Sequence, residues 1–344
     1  MLTQAEKGAA FHALHARAGA FIIPNPWDIG TARLLARLGF EALATTSAGY
    51  AFSVGQPDST VGRDETMAHV AAIVSATDLP VSADLENGFG DTPQIVAETI
   101  KLAAQAGLVG GSIEDVSGRA NCTVYELGHA ERILAAAEAV RHLPFRFTLT
   151  ARAENFVVGR PDLNDTIKRL QAYQEAGADV LYAPGVSTKD DIAAVVGSVD
   201  RPVNVVMGLE GVQLSRAALS ALHVKRISVG SALARAAFGA FLRAARTCYD
   251  HIAGTLGVSL HDRFKALGWL SGGSGADNPY DLTPGGVQAF EALGIDIEAT
   301  RKLRRRFAYA CVDWSERRPH VGGAVGAAVL NVALHRKWVI RDLD

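Results

Sequence analysis

The stretch VSADLENGFG, residues 81–90, indicates both the fold and the chemistry of this chain. It begins as a buried strand, and Asp84 and Glu86 stand two residues apart, so an extended backbone points both carboxylates to the same side. Gly88 and Gly90 let the main chain turn closely around whatever those carboxylates hold. Because crowded acidic groups repel one another unless a cation or a proton neutralises them, the stretch predicts a strand that ends in a cation-binding loop.

On both sides of this stretch, from residue 20 to about 243, short apolar runs alternate with segments of helical periodicity. This alternation is typical of βαβ units around a parallel sheet. The eight predicted strands are Phe21–Pro24, Ala42–Thr46, Val81–Glu86, Gly110–Glu114, Arg146–Arg152, Val180–Ala183, Val203–Val206 and Arg226–Val229. No G-x-G-x-x-G motif follows the first strand, so an α/β fold of the closed (β/α)₈ barrel type is favoured over an open doubly wound sheet.

Polar residues follow the predicted strands at the edge where a barrel enzyme builds its active site. They are Asp28, Ser47, Asp84, Glu86, Glu114, Asp115, Arg152, Glu154 and Asn204. Asp84, Glu86 and Glu114, with Asp58 from the loop after the second strand, form an oxygen-only donor set that suits Mg²⁺. The alternative interpretation is that these acids cap helices or pair with arginines such as Arg152.

Five motifs around these residues resemble, in unbroken order, those of the isocitrate lyase/phosphoenolpyruvate mutase superfamily. They are Pro24-Asn25-Pro26-Trp27-Asp28, Ala44-Thr45-Thr46-Ser47-Ala48-Gly49, Asp84-Leu85-Glu86-Asn87-Gly88-Phe89-Gly90, Ser112-Ile113-Glu114-Asp115 and Thr150-Ala151-Arg152-Ala153-Glu154. The resemblance covers residues 20–243. It implies a (β/α)₈ barrel enzyme that depends on Mg²⁺, with Mn²⁺ as the alternative ion.

The resemblance also implies roles for individual residues. Asp84 is expected to bind the metal directly, with its water shell held by Glu86, Asp58 and Glu114. Backbone N–H groups of Ser47, Ala48 and Gly49 are expected to hold a substrate carboxylate. Arg152 is expected to act in catalysis. The other expected substrate contacts are Trp27, Asp58, Arg152, Glu154 and Asn204.

These roles imply a lyase that cleaves a C–C bond of a small 2-oxo or 2-hydroxy di- or tricarboxylate through an enolate. One alternative is a sensor that binds a carboxylate without turnover, and another is an enzyme that breaks the C–P bond of a phosphonate. The proton donor is expected in the loop after the fourth strand, where Cys122 lies seven residues after Asp115. The family's Lys before the cysteine is Asn121 here and its Gly-His is Thr123-Val124, so Arg119 and Tyr125 are alternative donors.

The C-terminal part of the chain reads as a separate, mainly helical module, which gives predicted domains of 1–243 and 244–344. An alanine-rich helix is predicted from Ser231 to about Gly254. Three later stretches resemble the C-terminal half of some ArsR-type transcription regulators: Arg246–Val258, Leu282–Gly285 and Cys311–His320.

Cys248, His251, Cys311 and His320 of this module form a candidate second metal site. The Cys-x₂-His spacing predicts two ligands on one helix face, and sulfur with imidazole suits Zn²⁺ or another thiophilic metal. The alternative is that the cysteines are small buried hydrophobes and the histidines are hydrogen-bonded to neighbouring acids.

Charge and composition limit the partners that we expect. The 344 residues carry a formal net charge of -2, and residues 244–344 hold 13 Lys and Arg against 11 Asp and Glu, so nucleic acid is not an expected partner. No stretch approaches the length of a membrane span and no signal layout begins the chain, so we expect a cytoplasmic protein. The apolar helix Ser231–Arg246 predicts a homodimer or homotetramer.

Overall fold

The computed structural model describes residues 2–117, 123–126, 130–208, 213–244, 246–273 and 279–339. The chain divides into two compact units, residues 1–235 and 236–344. The domain limits 1–243 and 244–344 stay a prediction. No helix among the described residues combines the length and the apolar character needed to cross a bilayer.

The first unit is a nearly closed (β/α)₈ barrel, as predicted. Its strands are β1 (Phe21–Ile23), β2 (Leu43–Ala44), β3 (Val81–Asp84), β4 (Gly110–Glu114), β5 (Thr148–Arg152), β6 (Val180–Tyr182), β7 (Val203–Val206) and β8 (Arg226–Ser228). All pairings are parallel, in the order β1-β8-β7-β6-β5-β4-β3-β2. Each strand lies within the range predicted for it, so the reading of eight strands is confirmed.

Helices precede, connect and follow the strands, and the last of them crosses the boundary between the two units. They are α1 (Gln4–Ala16), α2 (Ile29–Arg37), α3 (Ser47–Ser53), α4 (Arg63–Ser75), α5 (Pro93–Gln105), α6 (Glu131–Arg141), α7 (Leu163–Glu175), α8 (Lys189–Gly197), α9 (Arg216–Ala221) and α10 (Ala232–Ala244). Asp28 caps α2, because its carboxylate accepts the Thr31 N–H at 2.7 Å. Asp28 therefore acts as a helix cap, as an isolated Asp after a strand commonly does.

The gap between β1 and β2 is closed by main-chain and side-chain hydrogen bonds at the strand ends. The Ala44 N–H donates to the Pro24 carbonyl at 3.1 Å. The buried Asn25 side chain donates to the Thr45 carbonyl at 3.0 Å and accepts the N–H groups of Val229 and Gly230, both at 2.9 Å. One side chain therefore ties the ends of β2 and β8 together across β1.

The second unit is built from helices and three antiparallel hairpins. Its elements are β9 (Arg246–Cys248), β10 (His251–Ala253), α11 (Gly254–Ala266), β11 (Leu270–Gly272), β12 (Tyr280–Leu282), α12 (Pro284–Ala292), α13 (Ile297–Arg301), β13 (Tyr309–Val312), β14 (Pro319–Gly322) and α14 (Gly323–His335). The hairpins pair β9 with β10, β11 with β12 and β13 with β14. Phe264, Phe290 and Trp269 pack at the centre of its core.

The helix predicted from Ser231 to about Gly254 is wrong in its second half. Helix α10 ends at Ala244, and residues 246–253 form the β9–β10 hairpin. Thr247 and Ile252 are β-branched cross-strand partners, and Tyr249 takes the left-handed conformation with φ 57° in the two-residue turn. The alanine-rich helical pattern continued the predicted helix through this hairpin. A short strand pair is stable only when it packs against the rest of the unit, which the local sequence does not show.

A repeated pattern that sequence inspection missed connects the first and third hairpins to the helices after them. Each runs from a histidine on the second strand to two glycines, as His251-x₂-Gly254-x₂-Gly257 and as His320-x₂-Gly323-x₂-Gly326. The first glycine of each triplet has positive φ, 69° for Gly254 and 84° for Gly323. A Cβ on Gly257 or on Gly326 would lie 2.4 or 2.2 Å from a backbone oxygen of the preceding strand. Only glycine fits these positions.

Candidate active site

Arg152 lies at the centre of the site and is held by three carboxylates from adjacent strands. Its guanidinium contacts Asp84 at 2.9 Å, Glu114 at 3.1 Å and Glu154 at 2.7 Å. The parallel register of β3, β4 and β5 brings their carboxyl ends to one edge, where Glu114 pairs with Arg152. The planar guanidinium can serve several partners at once because its donors lie in a fixed fork.

Negative charge exceeds positive charge around this arginine. The acidic residues that interact there are Asp58, Asp84, Glu86, Glu114 and Glu154. Burial, with the charges of Asp84 and Asp58, raises the pKa of Glu86 to about 8. Burial also raises the pKa of Glu114 and of Glu154, despite their contact with Arg152. The cluster therefore holds more acid than one guanidinium neutralises.

This donor set fits a hard divalent cation. Asp84 accepts hydrogen bonds from the Ser47 hydroxyl at 3.0 Å and from Arg152 at 2.9 Å. The pKa of Asp58 is raised by loss of hydration and by the charge of Asp84. Burial is the main cause of these raised pKa values, and a Mg²⁺ ion would offset the repulsion that adds to it. Carboxylate oxygens are the ligands that Mg²⁺ prefers.

The loop after β3 holds Glu86 in a strained backbone conformation. Glu86 and Phe89 have φ of 48° and 60°, in the left-handed region that non-glycine residues seldom adopt. The buried Arg132 of α6 holds the loop by donating to the Gly90 carbonyl at 2.9 Å and to the Asn87 carbonyl. Backbone strain of this kind persists where the surrounding structure enforces it, and it is common at functional sites.

A cavity of about 380 Å³ opens next to Arg152 at this edge of the barrel. Among the predicted site residues, its lining includes Ser47, Ala48, Asp58, Asp84, Arg152, Glu154 and Asn204. Glu114 contacts Arg152 but is absent from this lining, and Glu86 lines a second cavity of about 890 Å³. Most of the predicted residues therefore converge on one place.

Trp27 and Gly49 lie outside the lining of that cavity. The Trp27 carbonyl accepts a hydrogen bond from His69 at 2.9 Å. The Gly49 N–H donates to the Thr46 hydroxyl at 3.2 Å as part of the α3 cap. A Cβ on Gly49 would meet Thr46 Cγ2 at 2.5 Å, so in this structure the glycine lets α3 pack closely.

Sequence reasoning missed Arg226, one of two further arginines that line the cavity, the other being the exposed Arg235. Arg226 begins β8, is only 6% exposed and still lines the cavity. Its Nε donates to Asn204 at 2.9 Å, and Asn204 donates to Ser228 at 3.0 Å. Within the described residues Arg226 has no acidic partner, and burial lowers its pKa to about 10. A polar residue inside a predicted barrel strand was the signal available in the sequence.

Asp115, also at the rim in the sequence, is buried and positions Glu154. It accepts the Glu154 N–H at 2.8 Å, the Tyr173 hydroxyl at 2.6 Å and an Arg169 N–H at 3.1 Å. Because Glu154 in turn contacts Arg152, Asp115 holds the central arginine in place through one intermediate.

Two of the predicted proton donors, Cys122 and Arg119, lie outside the described residues. The third, Tyr125, is described, and its hydroxyl donates to Asp91 at 2.6 Å. Burial and this hydrogen bond raise the Tyr125 pKa. Tyr125 is therefore already engaged away from the cavity lining.

Comparison with known proteins gives the family. The sequence model of phosphoenolpyruvate phosphomutase matches residues 11–249. The chain is 32% identical over 248 residues to the uncharacterized protein Rv1998c of Mycobacterium tuberculosis, covering 70% of this chain and 89% of that protein. It is 31% identical over 189 residues to 2-methylisocitrate lyase of Salmonella typhimurium, covering 52% of this chain and 63% of the lyase. The chain belongs to the phosphoenolpyruvate mutase family, and it is an enzyme of the superfamily that contains these lyases and mutases.

Solved structures share the barrel. A protein of Burkholderia cenocepacia J2315, provisionally described as a lyase/mutase, is 67% identical with a TM-score of 0.69, covering 70% of this chain and 87% of that one. Phosphonopyruvate hydrolase in complex with oxalate and Mg²⁺ is 26% identical with a TM-score of 0.63, covering 71% of this chain and 87% of that one.

The C-terminal segment matches the uncharacterized HTH-type regulator YdfF of Bacillus subtilis. The two are 42% identical over 100 residues, which cover 29% of this chain and 43% of the regulator. This match supports the resemblance to a regulator, over less than half of that protein.

Proposed function

We propose that the chain is a Mg²⁺-dependent lyase that cleaves a C–C bond of a small 2-oxo or 2-hydroxy di- or tricarboxylate through an enolate. The observation that carries the proposal is the contrast between two of the arginines that line one cavity. Arg152 contacts three carboxylates, whereas Arg226 has no acidic partner among the described residues. A buried cation without a counter-ion is costly, and a substrate carboxylate would supply the missing charge.

Asp84 would hold the metal directly, and Glu86, Asp58 and Glu114 would hold its water shell. When bound, Mg²⁺ supplies positive charge beside the oxygen on which the enolate develops. The excess of carboxylates and the raised pKa of Glu86 support this assignment, because both are relieved by a cation.

The protein's own groups would bind the two ends of the substrate. Ser47 and Ala48, at the first turn of α3, would bind the carboxylate next to the reacting carbon. Arg226 on β8, held by Asn204, would bind the distal carboxylate. Arg152, kept charged because the acids around it outweigh the effect of burial and raise its pKa, would stabilise negative charge that develops during cleavage.

Cys122 is the proposed proton donor to the enolate. If it acts so, Cys122→Ser should keep substrate and metal binding but lower turnover by roughly 10²–10⁴-fold, the usual effect of losing a general acid. Steady-state kinetics on the identified substrate would measure this. A second readout is labelling with iodoacetamide, from which Mg²⁺ and a substrate analogue should protect the thiol. Equal labelling with and without these ligands, together with an active Cys122→Ser enzyme, would remove Cys122 from the mechanism.

Turnover of a substrate panel tests the function itself. Oxaloacetate, 2-methylisocitrate and phosphonopyruvate are incubated with the protein in Mg²⁺ and in EDTA, and the products are identified by NMR. We expect C–C cleavage of a di- or tricarboxylate that EDTA abolishes and added Mg²⁺ restores. Release of phosphate from phosphonopyruvate alone would instead identify C–P chemistry.

A second candidate function is ligand sensing, which the match to YdfF favours. In that case the barrel would bind a carboxylate in the same cavity without turning it over. Calorimetry distinguishes the two functions, since a sensor would bind members of the panel with Mg²⁺ while the ligand is recovered unchanged.

A further inference from the structure

The first and third hairpins of the second unit bring four potential metal ligands together. The ligand atoms of Cys248, His251, Cys311 and His320 all lie within 4.8 Å of one another. The two Sγ atoms are 4.0 Å apart, about twice the length of a disulfide bond. In a tetrahedral zinc site, neighbouring sulfur and nitrogen ligands lie roughly 3.3–3.8 Å apart. The cluster therefore needs only a small contraction to surround an ion.

The strand register explains why these four side chains meet. Cys248 and His251 are direct cross-strand partners in the β9–β10 hairpin, and Cys311 and His320 are partners in the β13–β14 hairpin. Directly opposed residues in an antiparallel pair project from the same face. Each hairpin therefore presents one cysteine and one histidine. This corrects the sequence interpretation, which placed Cys248 and His251 on one face of a helix.

Close packing holds the two hairpins against each other. A Cβ on Gly326, in the helix after the third hairpin, would lie 3.0 Å from the Cβ of His251. A Cβ on Gly257, in the helix after the first hairpin, would lie 3.4 Å from the Cβ of His320. Each histidine thus packs against a glycine in the helix that follows the other hairpin. The repeated His-x₂-Gly-x₂-Gly pattern therefore positions the two histidines.

The burial of the two histidines also points to a bound metal ion, independently of the distances between the ligand atoms. His251 and His320 are 1% and 0% exposed. Within the described part of the chain, His251 Nε2 and both ring nitrogens of His320 have no hydrogen-bond partner. A buried polar atom without a partner costs about 1–3 kcal/mol, and native proteins contain few of them. A metal ion that binds one ring nitrogen of each histidine would reduce that cost.

A carboxylate lies near Nδ1 of each histidine, within hydrogen-bond distance for His251 only. His251 Nδ1 lies 3.2 Å from Asp250, which also pairs with Arg305 at 3.2 Å. His320 Nδ1 lies 3.8 Å from Asp313, whose other contacts include the Gly254 N–H at 2.6 Å. A carboxylate behind one ring nitrogen commonly fixes a metal-binding imidazole and directs the other nitrogen to the ion.

We propose that Cys248, His251, Cys311 and His320 bind one Zn²⁺ ion in a closed, four-coordinate site that joins the two hairpins. Two sulfur and two imidazole ligands select zinc over magnesium or calcium. Four protein ligands leave no open position, so the ion is structural. On binding, each cysteine thiol releases its proton to solvent and coordinates as thiolate. This inference does not depend on the function of the barrel.

Metal analysis of the full chain, purified under reducing conditions with any affinity tag removed, is the first test. Mass spectrometry of the metals should find about one zinc per chain. X-ray absorption at the zinc edge should show two sulfur and two nitrogen neighbours. Replacing zinc by cobalt should give tetrahedral visible bands and a thiolate-to-cobalt charge-transfer band, which the oxygen ligands of the barrel cannot produce.

Variants give the second test. Cys248→Ser with Cys311→Ser should lose the zinc and the charge-transfer band, whereas Cys122→Ser, which changes the remaining cysteine, should keep both. If the double variant fails to fold, the X-ray absorption spectrum of the unmodified protein decides. The proposal is overturned by reduced protein that binds neither zinc nor cobalt, by a zinc shell without sulfur, or by a folded double variant that keeps its zinc.

Discussion

At the scale of single residues, the barrel site is defined by charges that do not balance. Arg152 serves Asp84, Glu114 and Glu154, while Arg226 lies in the same cavity with no acidic partner among the described residues. One part of the cavity therefore has too many carboxylates and another has an unmatched cation. Such a distribution costs stability in the free protein and is relieved when a cation and an anionic substrate bind together.

We expect Asp84→Asn to lower Mg²⁺ affinity by roughly 100-fold or more and to abolish turnover, because the change removes the one direct carboxylate ligand. Isothermal titration calorimetry measures the affinity. Asp190→Asn, on the exposed first turn of α8, is the matched control and should leave it unchanged. Unaltered Mg²⁺ binding by Asp84→Asn would sink the assignment.

Arg226→Gln should lower kcat/KM for a dicarboxylate by roughly 10- to 150-fold, the effect of losing a hydrogen bond from a charged donor. The loss should appear mainly in KM and should be absent for an analogue without the distal carboxylate. Because the variant also removes a buried cation without a counter-ion, its Tm should be equal to or higher than that of the parent. A large fall in Tm with unchanged substrate discrimination would mean that Arg226 is structural.

At the scale of elements, the two ends of the barrel differ, because the candidate site lies at one end and a small apolar cluster lies at the other. Helix α1 packs at the end opposite the strand carboxyl termini, where Phe11, Leu14 and Phe21 form a small apolar cluster. His15 of α1 is buried beside them, with its ring 4.9 Å from each of Phe11 and Phe21. Burial lowers the pKa of His15 to about 3.

This histidine makes the barrel sensitive to acid. Above pH 6.5 His15 is neutral in both the folded and the unfolded chain, but below that pH only the unfolded chain takes up the proton until the pH approaches 3. Stability should therefore fall by about 1.4 kcal/mol per pH unit as the pH drops below 6.5. We expect His15→Leu to reduce the loss of stability between pH 7 and pH 5 by about 2 kcal/mol in thermal unfolding. His142→Leu, at an exposed histidine, should not alter that loss.

The loop after β3 lies at the end of the barrel that carries the candidate site, and its backbone depends on support from another element. Its left-handed residues Glu86 and Phe89 are held by Arg132, which reaches from α6 to two carbonyls of the loop. Secondary structure alone would not maintain this backbone. The loop after β3 is thus stabilised by an element from a later part of the chain.

At the scale of the whole molecule, two units of different construction share one chain. The barrel belongs to a known enzyme family, whereas the second unit resembles part of a regulator. Its three small hairpins and four helices bury a core of their own around Phe290 and Val325. A metal ion that joins two of the hairpins would suit a unit of this size, since small domains gain stability from such links.

We predict that the chain forms a homodimer or homotetramer in solution. Helix α10 is alanine-rich and exposes Phe241 at 65% and Leu233 at 37%, an apolar composition that a symmetric contact between copies could bury. Light scattering should give a mass of two or four chains, and Phe241→Glu should reduce it without lowering Tm by more than a few degrees. A monomer at micromolar concentration would contradict the prediction.

The sequence by itself determined the barrel and most of its rim. Because strands and helices alternate, a parallel sheet covered by helices is the arrangement that buries the apolar runs. The order of the motifs then places Asp84, Glu114 and Arg152 at one edge of that sheet. Only the tertiary structure decided what these residues contact. Two of these contacts join residues far apart in the chain: Asp115 supports Glu154, and Cys248 meets Cys311. The lack of an acidic partner for Arg226 likewise follows from how distant strands come together. Local periodicity carries no information about such contacts, and it misassigned residues 246–253 because a two-stranded hairpin is stable only against the core that covers it.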